Sequence, residues 1–198
     1  MAAPSLHNQL RRRFPNAYWQ GNPERREIAL TFDDGPDPQN GPALLGLLDD
    51  LGVKAAFFFV GTRAAAEPAL VRRVVDAGHQ IGIHGYEHQS FLLKRERTLL
   101  QELSQVQDIM TEASRRDPSA FNAVRPPFGH FTPAILAALN TVGYLPTMWT
   151  LAPFHWLQPA GATIRQVLTG TTNGAILILH EPFPARQSST WRQPPCPI

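Results

Sequence analysis

Ile28-Ala29-Leu30-Thr31-Phe32-Asp33-Asp34-Gly35-Pro36 closes an apolar run on two adjacent carboxylates, at the point where glycine and proline force a turn. A run of this length bounded by turn residues reads as a buried strand. A carboxylate pair at its end can split two tasks, one Asp binding a cation while its neighbour stays free to accept a proton. The same residues also fit a strand followed by an ordinary turn in which Asp caps backbone amides. The rest of the chain decides between the two.

Downstream, strand-length apolar runs alternate with helical segments. A helix from about Pro42 to Leu51 ends at Gly52, and Lys54 to Val60 reads as a fully buried strand. Helical material through Ala69 to Ala77 stops at Gly78, Gln80-Ile81-Gly82-Ile83 is a third strand, and a long polar helix spans roughly Arg95 to Arg115. Ala123-Val124 enters a fourth strand. Thr132-Pro133 starts a helix, with Thr as N-cap and Pro at the first helical position, and Gly143 ends it. Tyr144 to Trp149 reads as a fifth strand, Thr163 to Leu168 as a helix and Ala175 to Leu179 as a sixth strand. This β/α alternation implies a parallel sheet, open and doubly wound or closed into a barrel. No glycine-rich phosphate loop follows the first strand, which argues against nucleotide binding.

At 198 residues and 43% hydrophobic content the chain has enough material for one domain with a real core. A formal net charge of +2 and scattered basic residues do not suggest a nucleic-acid partner, and Arg11-Arg12-Arg13 reads as a solvated face. The lone Cys196 supplies neither an internal disulfide nor a metal site. No export signal or membrane-spanning run is visible, so the chain is expected to be soluble and, by default, cytoplasmic. The expected organisation is an N-terminal extension over 1–25, one catalytic domain over 26–181, and a proline-rich, extended or disordered tail over 182–198.

His84-Gly85-Tyr86-Glu87-His88 places two histidines four apart just after the third strand. On a helical turn that spacing puts both rings on one face, within reach of one cation. Two imidazoles and one carboxylate, from Asp34 or Asp33, leave a coordination position open, the pattern of a catalytic zinc site. Arg125-Pro126-Pro127-Phe128-Gly129 follows the fourth strand and His180 the sixth. All of these belong at the carboxyl edge of one sheet, where barrel active sites form. An Arg beside an Asp keeps that Asp ionised and aimed, and a titratable His across a substrate can deliver a proton to a leaving group.

In order, TFDDGP at Thr31–Pro36, HxxxH at His84–His88, RPPFG at Arg125–Gly129, Trp156 and the strand ending in His180 resemble the motifs of the polysaccharide deacetylases with a NodB-type domain. The resemblance covers roughly Phe14 to Glu181. It implies a distorted (β/α) barrel holding one divalent cation on Asp34, His84 and His88, usually zinc, with cobalt, nickel or manganese as alternatives. It further implies hydrolysis of the N-acetyl group of a glycan or aminosugar by a metal-activated water. Asp33 would be the base, Arg125 its orienting partner, and His180 the acid that protonates the departing amine. The backbone N–H of Phe128 would hold the oxyanion, while Trp156 and Ile178 wall the acetyl pocket.

The sequence departs from the family in two places. Ala152 and His155 stand where carboxylates usually precede the tryptophan, so His180 is expected to be a differently supported acid and His155 to modify it. Glu181 is adjacent to His180, but strand alternation points it away. The family's last helix and short strand have no counterpart in 182–198, so the barrel is expected to be incomplete at its C-terminal side, leaving a strand edge to cover. Two rival readings follow: a catalytically impaired glycan-binding member of the same fold, and a zinc peptidase of H-x-x-E-H type with Glu87 as its catalytic carboxylate.

Overall fold

The computed structural model describes residues 6–153 and 157–181. Six parallel strands form one curled sheet in the order β5-β4-β3-β2-β1-β6, a half-barrel with helices on its outer face. β1 (Ala29–Asp33), β2 (Ala56–Phe59), β3 (Gln80–Ile83) and the edge strand β6 (Ile176–His180) are its longer strands. β4 (Ala123–Val124) and β5 (Leu145–Pro146) are short. The helices are α1 (Leu6–Arg13), α2 (Gly41–Asp50), α3 (Gly61–Ala66), α4 (Pro68–Asp76), α5 (Glu96–Ser114), α6 (Pro133–Thr141) and α7 (Ala160–Gly170).

Side-chain alternation along the strands separates two environments. In β2, Phe57 and Phe59 turn outward into the main core with Ile81 and Ile83 of β3. The α5 residues Leu99, Leu103, Val106 and Met110, spaced for one helical face, close over them. Each such buried side chain stabilises the fold by about 1.5–3 kcal/mol. Phe58 points the other way, into the barrel, where the Arg125 guanidinium lies 3.9 Å above its ring. Gly82 makes this possible: a Cβ there would fall 2.6 Å from the Phe58 ring and 2.9 Å from the Ala123 carbonyl oxygen.

The sequence expectation for α6 holds in detail, since Thr132 Oγ1 accepts from the Ile135 N–H and Pro133 begins the helix. The helix expected over Ala69–Ala77 is α4, begun by Pro68, and the sequence reading did not give the separate α3 before it. Two expectations need correction. The fifth strand is shorter than Tyr144–Trp149: Pro146 lacks an N–H, and beyond it Tyr18 takes over, donating to the Pro146 carbonyl and accepting from the Met148 N–H, each at 2.7 Å. The outer edge of β6 is not left open along its length, because Leu151 bridges Leu177, accepting from the Ile178 N–H at 3.0 Å. Residues 147–151 thus curl back from β5 toward β6, drawing the half-barrel closed. The N-terminal segment adds a smaller cluster in which Ala17 and Trp19 pack on Leu136 and Met148. Arg11, Arg12 and Arg13 are exposed, as expected. The expected tail over 182–198 lies outside the described residues. No helix among the described residues is long and apolar enough to cross a membrane.

Candidate active site

The carboxyl ends of β1, β3, β4 and β6 bring Asp33, Asp34, His84, His88, Arg125 and His180 to one rim. Asp33 ends β1 and Thr31 precedes it by two, so both point into the barrel. There Arg125, fully buried, donates through Nη1 to Asp33 Oδ1 at 2.6 Å and to Thr31 Oγ1 at 2.8 Å. Its Nε and Nη2 donate to the carbonyls of Thr147 and Met148. Burial pushes the Arg125 pKa down, and the Asp33 carboxylate opposes that by Coulomb attraction and a hydrogen bond. Thr31 in turn donates to the Leu177 carbonyl at 2.6 Å, which ties the pair to β6.

Beside this pair, ligand atoms of Asp34, His84 and His88 lie within 4.8 Å of one another. Asp34 Oδ1 is 2.9 Å from His88 Nε2 and 3.4 Å from His84 Nε2. Burial resists ionisation of Asp34, but the two imidazoles hold its pKa well below the ordinary range. Burial likewise opposes a charged His84, yet Asp33 and Asp34 raise its pKa. His84 Nδ1 lies 2.8 Å from the Arg125 carbonyl oxygen. With its proton on Nδ1 toward that carbonyl, His84 would offer Nε2 to a cation, the tautomer a metal ligand requires. One oxygen and two imidazole nitrogens converging at a buried rim fit a divalent cation with coordination positions to spare.

The HxxxH spacing is not helical. Residues 84–90 form a loop, with Gly85 at φ 78° and His88 at φ 54°, and this doubling back brings the rings to 4.9 Å between centroids. Glu87 in that loop is exposed, with Gln89 donating to it at 3.2 Å. The H-x-x-E-H reading therefore lacks its helix and points its glutamate to solvent. Asp34 at φ 72° and Phe128 at φ 60° are also left-handed. Such positions cost on the order of 1–3 kcal/mol for non-glycine residues and persist where surroundings over-determine them.

Phe128 packs edge-on against His88 at 4.7 Å, which places the RPPFG turn over the ligand cluster. His180 is the register partner of Asp33 on the neighbouring strand, and Ile178 that of Thr31, so these four side chains share one wall of the barrel. The expected positions of His155 and Trp156 lie outside the described residues. Sequence reasoning missed Thr31 and Phe58, the hydroxyl and ring that seat Arg125. Thr31 carried a signal, its two-residue spacing from Asp33; Phe58 carried none, because nothing in three consecutive phenylalanines says which faces inward.

Residues 20–147 match the family profile of the polysaccharide deacetylases. A chitooligosaccharide deacetylase of Bradyrhizobium sp. is 34% identical over 165 residues, 80% of this chain and 72% of that protein. The peptidoglycan-N-acetylglucosamine deacetylase PgdA of Listeria monocytogenes is 30% identical over 157 residues, 79% of this chain but only 32% of that protein, so the chain spans about a third of its length. Among solved structures, PdaA of Bacillus subtilis, a family 4 carbohydrate esterase, superposes with a TM-score of 0.78 at 27% identity, over 91% of this chain and 77% of that one.

Proposed function

The chain belongs to the polysaccharide deacetylase family, and we propose that it hydrolyses the N-acetyl group of an amino sugar in a glycan, with a divalent cation held by Asp34, His84 and His88. The observation that carries this reading is the split use of Asp33. Its Oδ1 is tied to Arg125 at 2.6 Å, while its Oδ2 faces the ligand cluster, 3.7 Å from His84 Nε2. A carboxylate fixed through one oxygen and open through the other is built to take a proton at a set position.

The cation, when bound, supplies a Lewis acid that polarises a carbonyl and lowers the pKa of water. Asp33 Oδ2 accepts the proton of the water that attacks the acetyl carbon. Arg125, bonded to Oδ1, holds that carboxylate in place so that Oδ2 stays aimed at the reacting water. The backbone N–H of Phe128 donates to the oxygen that gains charge as the carbonyl becomes tetrahedral. His180 gives a proton to the nitrogen as the C–N bond breaks, so that acetate and a free amine leave. Ile178 bounds the space for the acetyl methyl. Zinc is the first choice for two imidazoles and one carboxylate, with cobalt, nickel and manganese as substitutes.

The test is acetate release from N-acetylated chito-oligosaccharides and peptidoglycan fragments by the metal-stripped protein, with and without added zinc. Zinc-dependent release is expected. Ala152 and His155, where the family carries acids, favour a second reading, a glycan binder with little turnover. Saturable glycan binding without acetate release would select it.

A further inference from the structure

Two residues that no step above uses grip the loop of Asp33 and Asp34 from behind. Glu181 follows His180, and strand alternation turns its side chain away from the pocket, under the loop. There it is buried, and its Oε2 accepts from the Asp37 N–H at 2.7 Å. Its Oε1 lies 2.1 Å from where a Cβ on Gly35 would sit, so only glycine leaves it room. Arg63, half-buried on α3, donates through Nη1 to the Asp34 carbonyl oxygen. The Glu181 N–H donates to the Asp33 carbonyl at 3.0 Å, and the Val60 N–H to the Gly35 carbonyl at 2.8 Å. Backbone groups of Asp33, Asp34, Gly35 and Asp37 are thus tied to three neighbouring elements.

We propose that Glu181 and Arg63 are positioning residues for the metal ligand Asp34, which they hold in its left-handed conformation with its carboxylate turned to His84 and His88. Packing alone does not account for a glutamate there. Burial pushes its carboxyl up to about 7, and Asp37 and Asp34 add repulsion that Arg63 only partly offsets. A polar group placed against such opposition serves a geometry that an apolar side chain does not supply. The inference rests on Asp34, His84 and His88 being the cation site.

The test is zinc affinity, measured by competition with a chromogenic chelator, with far-UV circular dichroism as the control for folding. Wild type should bind one equivalent and Asp34→Asn should bind far more weakly. Glu181→Ala should lose about 10–100-fold in affinity while remaining folded, and Arg63→Met about 10-fold. Glu181→Gln keeps an acceptor oxygen for the Asp37 N–H and should stay within about threefold of wild type. A folded Glu181→Ala with wild-type affinity overturns the proposal. If Glu181→Ala does not fold, Arg63→Met decides, and wild-type affinity there overturns it equally. Wild type and Asp34→Asn binding zinc alike would instead remove the metal site itself, and this proposal with it.

Discussion

Arg125 Nη1 and Asp33 Oδ1 stand 2.6 Å apart with both side chains almost wholly sealed from solvent. Replacing the arginine strands a buried carboxylate. Arg125→Met is expected to destabilise the protein by about 3–5 kcal/mol in urea denaturation. Arg125→Lys should recover only part of this, because one ammonium cannot serve Asp33, Thr31 and two backbone carbonyls together.

Thr31→Val removes the hydroxyl between Arg125 and the Leu177 carbonyl while keeping the shape. It should cost about 1–3 kcal/mol in stability. Turnover should fall with zinc affinity unchanged, since Thr31 touches the base's partner and none of the three ligands. Equal losses of zinc affinity and turnover would contradict that assignment.

Gly82→Ala puts a methyl 2.6 Å from the Phe58 ring and so pushes against the platform under Arg125. A loss of about 1–3 kcal/mol is expected. Phe58→Leu in the same background should recover part of it by making space; a Gly82→Ala protein as stable as wild type would show the strand has more room than the geometry allows.

The Glu181 carboxyl is raised from 4.5 to about 7, so its protonated form is favoured by folding. Below pH 4.5 it is protonated in both states and contributes nothing. Between about 4.5 and 7 the folded state holds the extra proton, so stability falls as pH rises. Above 7 the full penalty stands, on the order of 3 kcal/mol. In the presence of chelator, the melting temperature of Glu181→Gln relative to wild type should therefore rise by roughly 5–10 °C between pH 4.5 and 8. A pH-independent difference would show that the carboxyl is not titrating in this window.

The order and type of the elements were legible because Gly52, Gly78, Gly143 and the Thr132-Pro133 start punctuate the apolar runs. The site residues were legible because loops after parallel strands gather at one edge of a sheet. The conformation of 84–88 was not: a four-residue spacing fits a helical turn and a doubled-back loop equally, and the left-handed His88 that decides it leaves no mark in sequence. Glu181 and Arg63 were hidden for another reason. Glu181 meets Asp37 across 144 residues of chain and Arg63 meets Asp34 across 29, contacts that only the assembled barrel creates.

The division of labour between two adjacent acids is the central claim, and Asp33→Asn tests it most directly when metal content and acetate release are measured on the same sample. Asp33→Asn should retain one zinc and fall about 10²–10⁴-fold in turnover, the range for losing a general base, whereas Asp34→Asn should lose the metal. An Asp33→Asn protein that turns over at the wild-type rate, or that loses zinc as Asp34→Asn does, would contradict the account.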